Sequence, residues 1–478
     1  MNYLEREGPR DECGVFAVYA PELEVSSLAF FALQALQHRG QEAAGIASSL
    51  DGKIMTVRDR GLVNHVFSEN DIAALAGQAA IGHVRYSTTG SDTWANAQPI
   101  QRTDRRPLAL AHNGNLINAV ALHNDLTENG ISFQSTSDSE IIAALISTSS
   151  ADSAEEAVTE ACLLIKGAFS TVILTEGKII AFRDSARVRP LSLGRLTSGR
   201  YCVASETSAF DLIGADFVRD VSPGEIITLD EAGVHSTFFA PTSRSAFCLF
   251  EHIYFSRPDS VLEGRLVHLS RRRMGEILYR ESPAEADIVI PVPDSGNPAA
   301  AGYSIASGIP RDDGLIKNRY VARTFIQPSQ ELRQVGLRMK FNPMADIVSG
   351  KRLVVVDDSI VRGNTTKQIV KILRSAGASE IHLRVSSPPI LNPCHYGIDL
   401  SERSEMIAHQ RSNDQIAEIL GADSLAYLSL EGVYEAIAAS SDGHCDACFS
   451  GNYPLEGDDD SKNAIINLPL ANSSWPRS

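Results

Sequence analysis

No apolar run in these 478 residues approaches the ~20 that a membrane-spanning helix needs, so the sequence offers no transmembrane segment. A basic excess is missing too: 43 Lys and Arg stand against 59 Asp and Glu, a formal net charge of −16, which argues against general nucleic-acid binding. A polyanionic ligand must therefore be met by local amides, by individual Arg and Lys side chains or by a metal. Met1–Glu12 lacks the apolar core of a secretory signal, because Glu5, Arg6, Glu7, Arg10, Asp11 and Glu12 fill it with charge. A cytoplasmic location is the expectation, and there seven cysteines read as catalytic, ligating or merely buried thiols and not as disulfides. No internal repeat is present. What remains, 43% apolar and 21% charged, is ordinary for a globular enzyme, and the length suits two domains with a core each.

Two patterns divide the chain. Residues 13–240 alternate short strand-like runs with helical ones, as in a layered α+β domain. Phe169–Phe182 predicts a hairpin turning at Glu176-Gly177, while Ile226–Leu229 and Val234–Phe239 predict strands. Leu28–Gln37, Ile117–Leu126 and Ser139–Ile146 predict helices. After a break at Pro241-Thr242-Ser243, apolar strands at Ile288–Val292, Leu353–Val356 and Ile381–Val385 alternate with helical patterns, which predicts a doubly wound α/β domain over 241–454. The acidic, Ser- and Asn-rich ending predicts a mobile tail over 455–478.

Residues 353–366 are the most informative stretch. The apolar run Leu353–Val356 ends in two adjacent carboxylates, Asp357 and Asp358. Ser359, Arg362, Gly363, Asn364, Thr365 and Thr366 then lead into a helical pattern at Lys367–Ser375. A buried parallel strand, a polar turn and a helix N-terminus, in that order, suit a phosphorylated ligand. Backbone amides from Gly363 to Thr366, backed by the helix dipole, favour a phosphate. The carboxylates favour a ribose diol or a divalent cation. The segment resembles the phosphoribosyl pyrophosphate (PRPP) motif of type I phosphoribosyltransferases. That resemblance implies that Asp294, Ser295 and Gly296, at the end of the strand Ile290–Val292, form a pyrophosphate loop, with Mg²⁺ held by Ser295, Asp357 and Asp358. It also implies a flexible loop at Asn318–Phe341, from which Arg323 and Lys340 reach the pyrophosphate.

In the first half, Cys13-Gly14-Val15-Phe16 follows the charged dodecapeptide. If residues 1–12 are a propeptide that is removed, Cys13 carries both a thiol and a free α-amine, and an amine of pKa near ~7.7–8.0 serves as general base for its own side chain. Four further segments keep it company: Leu36–Gly45, Gly82–Thr88, His112-Asn113-Gly114-Asn115 and Thr136–Glu140. Together they resemble the class II, N-terminal-nucleophile (Ntn) glutamine amidotransferases. The resemblance implies an αββα sandwich over 13–240, with Arg85 pairing with the α-carboxylate of glutamine and Asp138 holding its α-ammonium. It also implies that the Asn113 side chain and the Gly114 N–H form the oxyanion hole. Asp138 also reads as a helix N-cap, and Asn113-Gly114 also reads as a type I′ turn. His38 and His83 read as structural.

Cys445-Asp446-Ala447-Cys448 is a C-x-x-C pair, with Cys248 and Cys394 far upstream. Alone it is ambiguous among a redox pair, zinc and iron–sulfur. Cys162 and Cys202 read as core. The whole of 13–454 is similar to the glutamine phosphoribosylpyrophosphate amidotransferases, and the sequence contexts of Cys248, Cys394, Cys445 and Cys448 match the subset carrying one [4Fe–4S] cluster per subunit. This resemblance implies glutamine and PRPP as substrates, purine nucleotides as feedback inhibitors, a homotetramer, and neither nucleic-acid nor membrane partners. Glucosamine-6-phosphate synthase and asparagine synthetase share the first half. The former would lack the Asp357-Asp358 loop, and the pyrophosphatase loop of the latter is not found. A non-catalytic PRPP sensor would have no use for Cys13, Arg85 or Asp138.

Overall fold

A computed structural model of the chain describes residues 13–86, 94–240, 245–318, 341–400 and 402–455. The leader Met1–Glu12, Ser87 and Thr88, the break at Pro241–Ser243, Arg323 and Lys340, and the tail beyond Leu455 lie outside the described residues.

The first half is two antiparallel sheets face to face. One has seven strands in the order Ala215–Asp220, Ser192–Leu196, Tyr201–Ala204, Gly14–Tyr19, Ala79–Arg85, Ala43–Leu50 and Lys53–Arg60. The other has six: Gly233–Phe238, Glu225–Asp230, Lys178–Arg183, Gly167–Thr175, Leu108–Leu116 and Ile100–Arg102. Strand alternation assigns the faces. Val15, Ala17 and Tyr19 meet Ala109, Ala111, Val172 and Leu174 between the sheets. The intervening Phe16 and Val18 point outward, under the helix Val25–Ala35. On the opposite side Ile173, Ile180 and Phe182 lie under the helices Asp138–Thr148 and Ala154–Leu164. The layers are αββα, as the motifs implied. The hairpin turns at Glu176-Gly177, both residues with positive φ (50° and 74°), as a type I′ turn requires.

The second half is built on a parallel sheet in the order Ile288–Pro291, Arg352–Asp357, Glu380–Val385 and Ser424–Tyr427. Val354 and Val356 face a core with the helices Val267–Glu281 and Asn297–Ser307, and Leu353 and Val355 face one with the helix Asn364–Ser375. Burial on both faces explains the uninterrupted apolar run. The helix starts at Asn364, earlier than the expected Lys367, because Gly363 adopts a left-handed φ of 79° and serves as its N-cap residue.

One buried ionic cluster joins the halves. The Arg39 guanidinium donates to Glu206 (2.6 Å) and to Glu251 (2.6 and 3.0 Å), with all three side chains fully buried. Arg271 donates to the backbone oxygens of His252 (2.9 Å) and Ser256 (2.7 Å), in the same turn as Glu251. Arg39→Ala would take the shared guanidinium from two buried carboxylates, leaving His38 beside Glu206, so a loss of about 3–5 kcal/mol is expected in denaturant unfolding. Burial by itself would raise the pKa of Glu206, but His38 and Arg39 outweigh it and hold the carboxyl well below the usual range. A depressed folded pKa contributes stability that is present above the unfolded value of 4.5 and lost as the pH falls below it. The melting temperature is therefore expected to drop below about pH 5, with a shallower slope in Glu206→Gln.

Candidate functional site

Cys13 precedes the strand Gly14–Tyr19, Arg85 ends the strand Ala79–Arg85, and the pairing Gly14↔Val84 puts both at one end of the seven-stranded sheet. Cys13, like Val15, and Arg85, like Ile81, have the parity that faces the second sheet; Asn113, like Ala111, has the parity that faces the first. His83 Nε2 lies 3.2 Å from the His112 carbonyl, which registers the two sheets so that Arg85 and Asn113 belong to the same end. The half-buried Cys13 thiol donates to the Tyr86 carbonyl at 3.4 Å, and the Cys13 carbonyl accepts from Arg39 Nε at 3.1 Å.

Asn113 Nδ2 is buried without a hydrogen-bond partner, and such a donor calls for an explanation. Asn113-Gly114 is not a turn: both residues lie within the strand Leu108–Leu116, paired with Ser170 and Phe169. Gly114 has φ 153°, and a Cβ there would stand 2.0 Å from the Ala168 carbonyl, so only glycine fits. The N-cap role falls to Ser137, not Asp138, which is the first helical residue and turns one carboxylate oxygen to the Leu116 N–H (2.9 Å). Gln98, His112 and Ser139 interlock behind it at 2.7–3.1 Å. Burial lowers His83 to about 3, which leaves it a neutral, structural imidazole.

At the second site Asp357 closes its strand, and the Asp358 N–H donates to Asp357 Oδ1 (3.0 Å). Ser359 Oγ donates to Asp358 Oδ2 at 2.6 Å, and Ser295 Oγ donates to Oδ1 of the same carboxylate. The pyrophosphate-loop candidates and the carboxylate pair are thus in contact. The loop is pinned by Val292 N–H on the Val356 carbonyl (2.8 Å), and a Cβ on Gly296 would meet that carbonyl oxygen at 2.5 Å. Asp294 pairs with Lys317 at 2.9 Å. Burial, then the Asp358 charge, drives the Asp357 pKa well above the carboxylate range. A divalent cation would relieve both. Asn364, Thr365 and Thr366 form the first helical turn, whose amides lie outside the intrahelical ladder that begins with Lys367 N–H on the Gly363 carbonyl (2.9 Å). Arg362 is committed elsewhere: its Nε donates to Glu405 at 3.0 Å, and its Nη1 is buried without a partner.

The four remaining cysteine candidates come together. Cys248 and Cys445 are register partners on the paired strands Ala246–Cys248 and Gly443–Cys445, and Cys448 follows in the helix Ala447–Ser450. The Cys448 carbonyl accepts the Leu391 and Asn392 amides (2.9 and 3.1 Å), which brings in the segment of Cys394. All four are buried in one core cluster. Burial, then Cys248, Cys394 and Cys445, raises the Cys448 thiol far above its usual pKa, and burial raises Cys445 to about 12. Four buried thiols crowding one another fit a cationic metal centre that would hold them as thiolates. Cys162 and Cys202 are core residues of a helix and a strand. The Arg39, Glu206, Glu251 and Arg271 cluster was not assigned from sequence. Arg39 and Glu251 lay in separate recognised segments, and the partners of Arg39 are 167 and 212 residues away.

Two folds and two sites define the class: a glutamine amidotransferase joined to a phosphoribosyltransferase. Residues 83–212 match the family model of the glutamine amidotransferase domain, and residues 259–388 match that of the phosphoribosyl transferase domain. The amidophosphoribosyltransferase of Synechococcus elongatus is 49% identical over 459 residues, 95% of this chain and 93% of its own length. That of Bacillus subtilis is 45% identical, covering 95% and 96%. A solved structure described as the allosteric regulatory enzyme of purine biosynthesis superimposes with a TM-score of 0.90 at 45% identity, covering 95% of this chain and 99% of its own. The glutamine PRPP amidotransferase of B. subtilis complexed with ADP and GMP superimposes with 0.88 at 44% identity, covering 96% and 99%. The chain belongs to the amidophosphoribosyltransferase family. Its reaction joins the amide nitrogen of glutamine to PRPP, releasing glutamate and pyrophosphate in the committed step of purine synthesis.

Proposed function

We propose that Cys13, made N-terminal by loss of residues 1–12, attacks the side-chain amide of glutamine with its own α-amine as base. Arg85 and Asp138 orient the amino acid through its carboxylate and ammonium groups. Asn113 Nδ2 and the Gly114 N–H stabilise the oxyanion; ammonia leaves and water hydrolyses the thioester. The observation that carries this reading is the buried, unpartnered Asn113 Nδ2 at the sandwich end shared with Cys13 and Arg85. Asn113→Ala is expected to lower glutamine-dependent kcat by about 10²–10³-fold, with little change in KM and none in ammonia-dependent synthesis. Loss of both activities would remove Asn113 from this role.

At the second site Asp357, Asp358, Ser359 and the turn 363–366 take the ribose and 5-phosphate of PRPP. Asp294, Ser295 and Gly296 take its pyrophosphate, Arg362 borders the loop, and Arg323 and Lys340 are assigned to the closing loop. Ammonia displaces pyrophosphate at C1 through a transition state of oxocarbenium character, for which the residues chiefly position the sugar and exclude water. Ser295, Asp357 and Asp358 would hold Mg²⁺, whose charge would stabilise the departing pyrophosphate. Cys248, Cys394, Cys445 and Cys448 would hold one [4Fe–4S] cluster in a structural or oxygen-sensing role, since the reaction moves no electrons. Purine nucleotides would regulate the enzyme by occupying the PRPP site through their 5′-phosphates; the ADP- and GMP-bound relative supports nucleotide binding. A homotetramer in the cytoplasm completes the proposal; among the described residues, no helix is long and apolar enough to cross a membrane. The proposed domain limits are 13–240 and 241–454. Four iron and four acid-labile sulfide per chain in anaerobically purified protein would support the cluster, and stoichiometric zinc in place of iron would contradict it.

A further inference from the structure

Apart from both sites and the four clustered cysteines, three side chains from separate segments converge. His252 lies in the turn Glu251–Phe255, Glu263 occupies the tight turn between Val261–Leu262 and Arg265–Leu266, and His444 lies in the strand Gly443–Cys445. One ligand atom from each falls within 4.8 Å of the others. Glu263 Oε2 is 2.9 Å from His444 Nε2 and 3.4 Å from His252 Nε2, while Arg187 holds the other carboxylate oxygen.

Proton placement makes this grouping informative. His444 Nδ1 lies 3.1 Å from the Ser440 carbonyl, which can only accept, so Nδ1 carries a hydrogen. In a neutral ring, Nε2 then turns a lone pair toward a carboxylate oxygen. One ring N–H on a backbone carbonyl, with the other nitrogen free to coordinate, is the posture of a metal-bound histidine. His252 adds a second imidazole to the same oxygen, and its Nδ1 is buried without a partner. A cation among them would take one donor atom from each of the three residues at once.

We infer that His252, Glu263 and His444 form a binding site for a divalent transition-metal ion of the zinc class, tying three segments of the second domain together. Two imidazole nitrogens and one carboxylate oxygen are a zinc donor set. Arg187 on the second oxygen keeps Glu263 monodentate. The site opens on the Glu263 side, where the side chain is 14% exposed against 0% for His252 and 6% for His444, so a water completes the tetrahedron there. Arg187 and the nearby Arg265 oppose positive charge, so affinity rests on the Glu263 carboxylate.

The test is zinc analysis and zinc-edge X-ray absorption on the full chain, dialysed against chelator and reloaded with Zn²⁺, alongside Glu263→Gln and His252→Gln. The expected result is one Zn²⁺ per chain with only nitrogen and oxygen neighbours at about 2.0–2.1 Å. Affinity should fall on the order of 100-fold in either variant. Zn²⁺ should also raise the melting temperature of the parent chain, a readout that needs no variant to fold. Absence of stoichiometric zinc, sulfur neighbours near ~2.3 Å from cysteine capture, or unchanged zinc in folded Glu263→Gln would each overturn the assignment.

Discussion

Cys13→Ala is expected to lose glutamine-dependent synthesis by at least ~10⁴-fold while ammonia-dependent synthesis stays within about threefold of the parent. The separation follows from the architecture. Cys13 stands at one end of an antiparallel sandwich, and the carboxylate pair Asp357 and Asp358 stands at the end of a parallel strand in another layer system. The thiol is half-buried and makes a weak 3.4 Å contact with the Tyr86 carbonyl, so its loss should cost the fold no more than about 1 kcal/mol. Product formation with glutamine and with ammonium chloride, measured side by side, checks this. Equal loss with both nitrogen sources would mean that Cys13 supports the structure and not the first half-reaction.

Asp358→Asn should have the complementary signature. Its carboxylate accepts hydroxyls from Ser295 and Ser359, so it joins the two loops expected to clasp PRPP. An amide keeps the shape but removes a charge and one acceptor, and synthesis should fall on the order of 10³-fold with either nitrogen source. Basal glutamine hydrolysis, measured without PRPP, should persist. Retained ammonia-dependent synthesis would place the sugar phosphate elsewhere.

The second site was legible because its chemistry is contiguous: strand, carboxylates, turn and helix start occupy one stretch, with Gly363 marking the left-handed cap. The residues of the first site were legible by type, but their placement was not. That Cys13, Arg85 and Asn113 share one end emerges only from strand register and from the His83–His112 contact between sheets. The strands Ala43–Leu50 and Ala79–Arg85 escaped notice because small residues interrupt them and only Ile46, Ile81 and Val84 carry a β-branched signal. Their neighbours impose this: a Cβ on Gly45 would stand 2.1 Å from the Gln98 carbonyl, and one on Gly82 would press against Leu33. Capping by Ser137 in place of Asp138 is a one-residue shift that frees a carboxylate for the Leu116 amide. The Arg39 cluster and the His252, Glu263 and His444 group join residues distant in sequence, and no local pattern announces either.

The most direct test of a coupled two-site enzyme is the stoichiometry of products. Glutamate and pyrophosphate are measured after adding glutamine alone, Mg–PRPP alone, and both together to the mature, anaerobically purified protein. Equimolar release that requires both substrates is the predicted result. Binding of PRPP with neither product formed, or glutamate release at the same rate with and without PRPP, would contradict it.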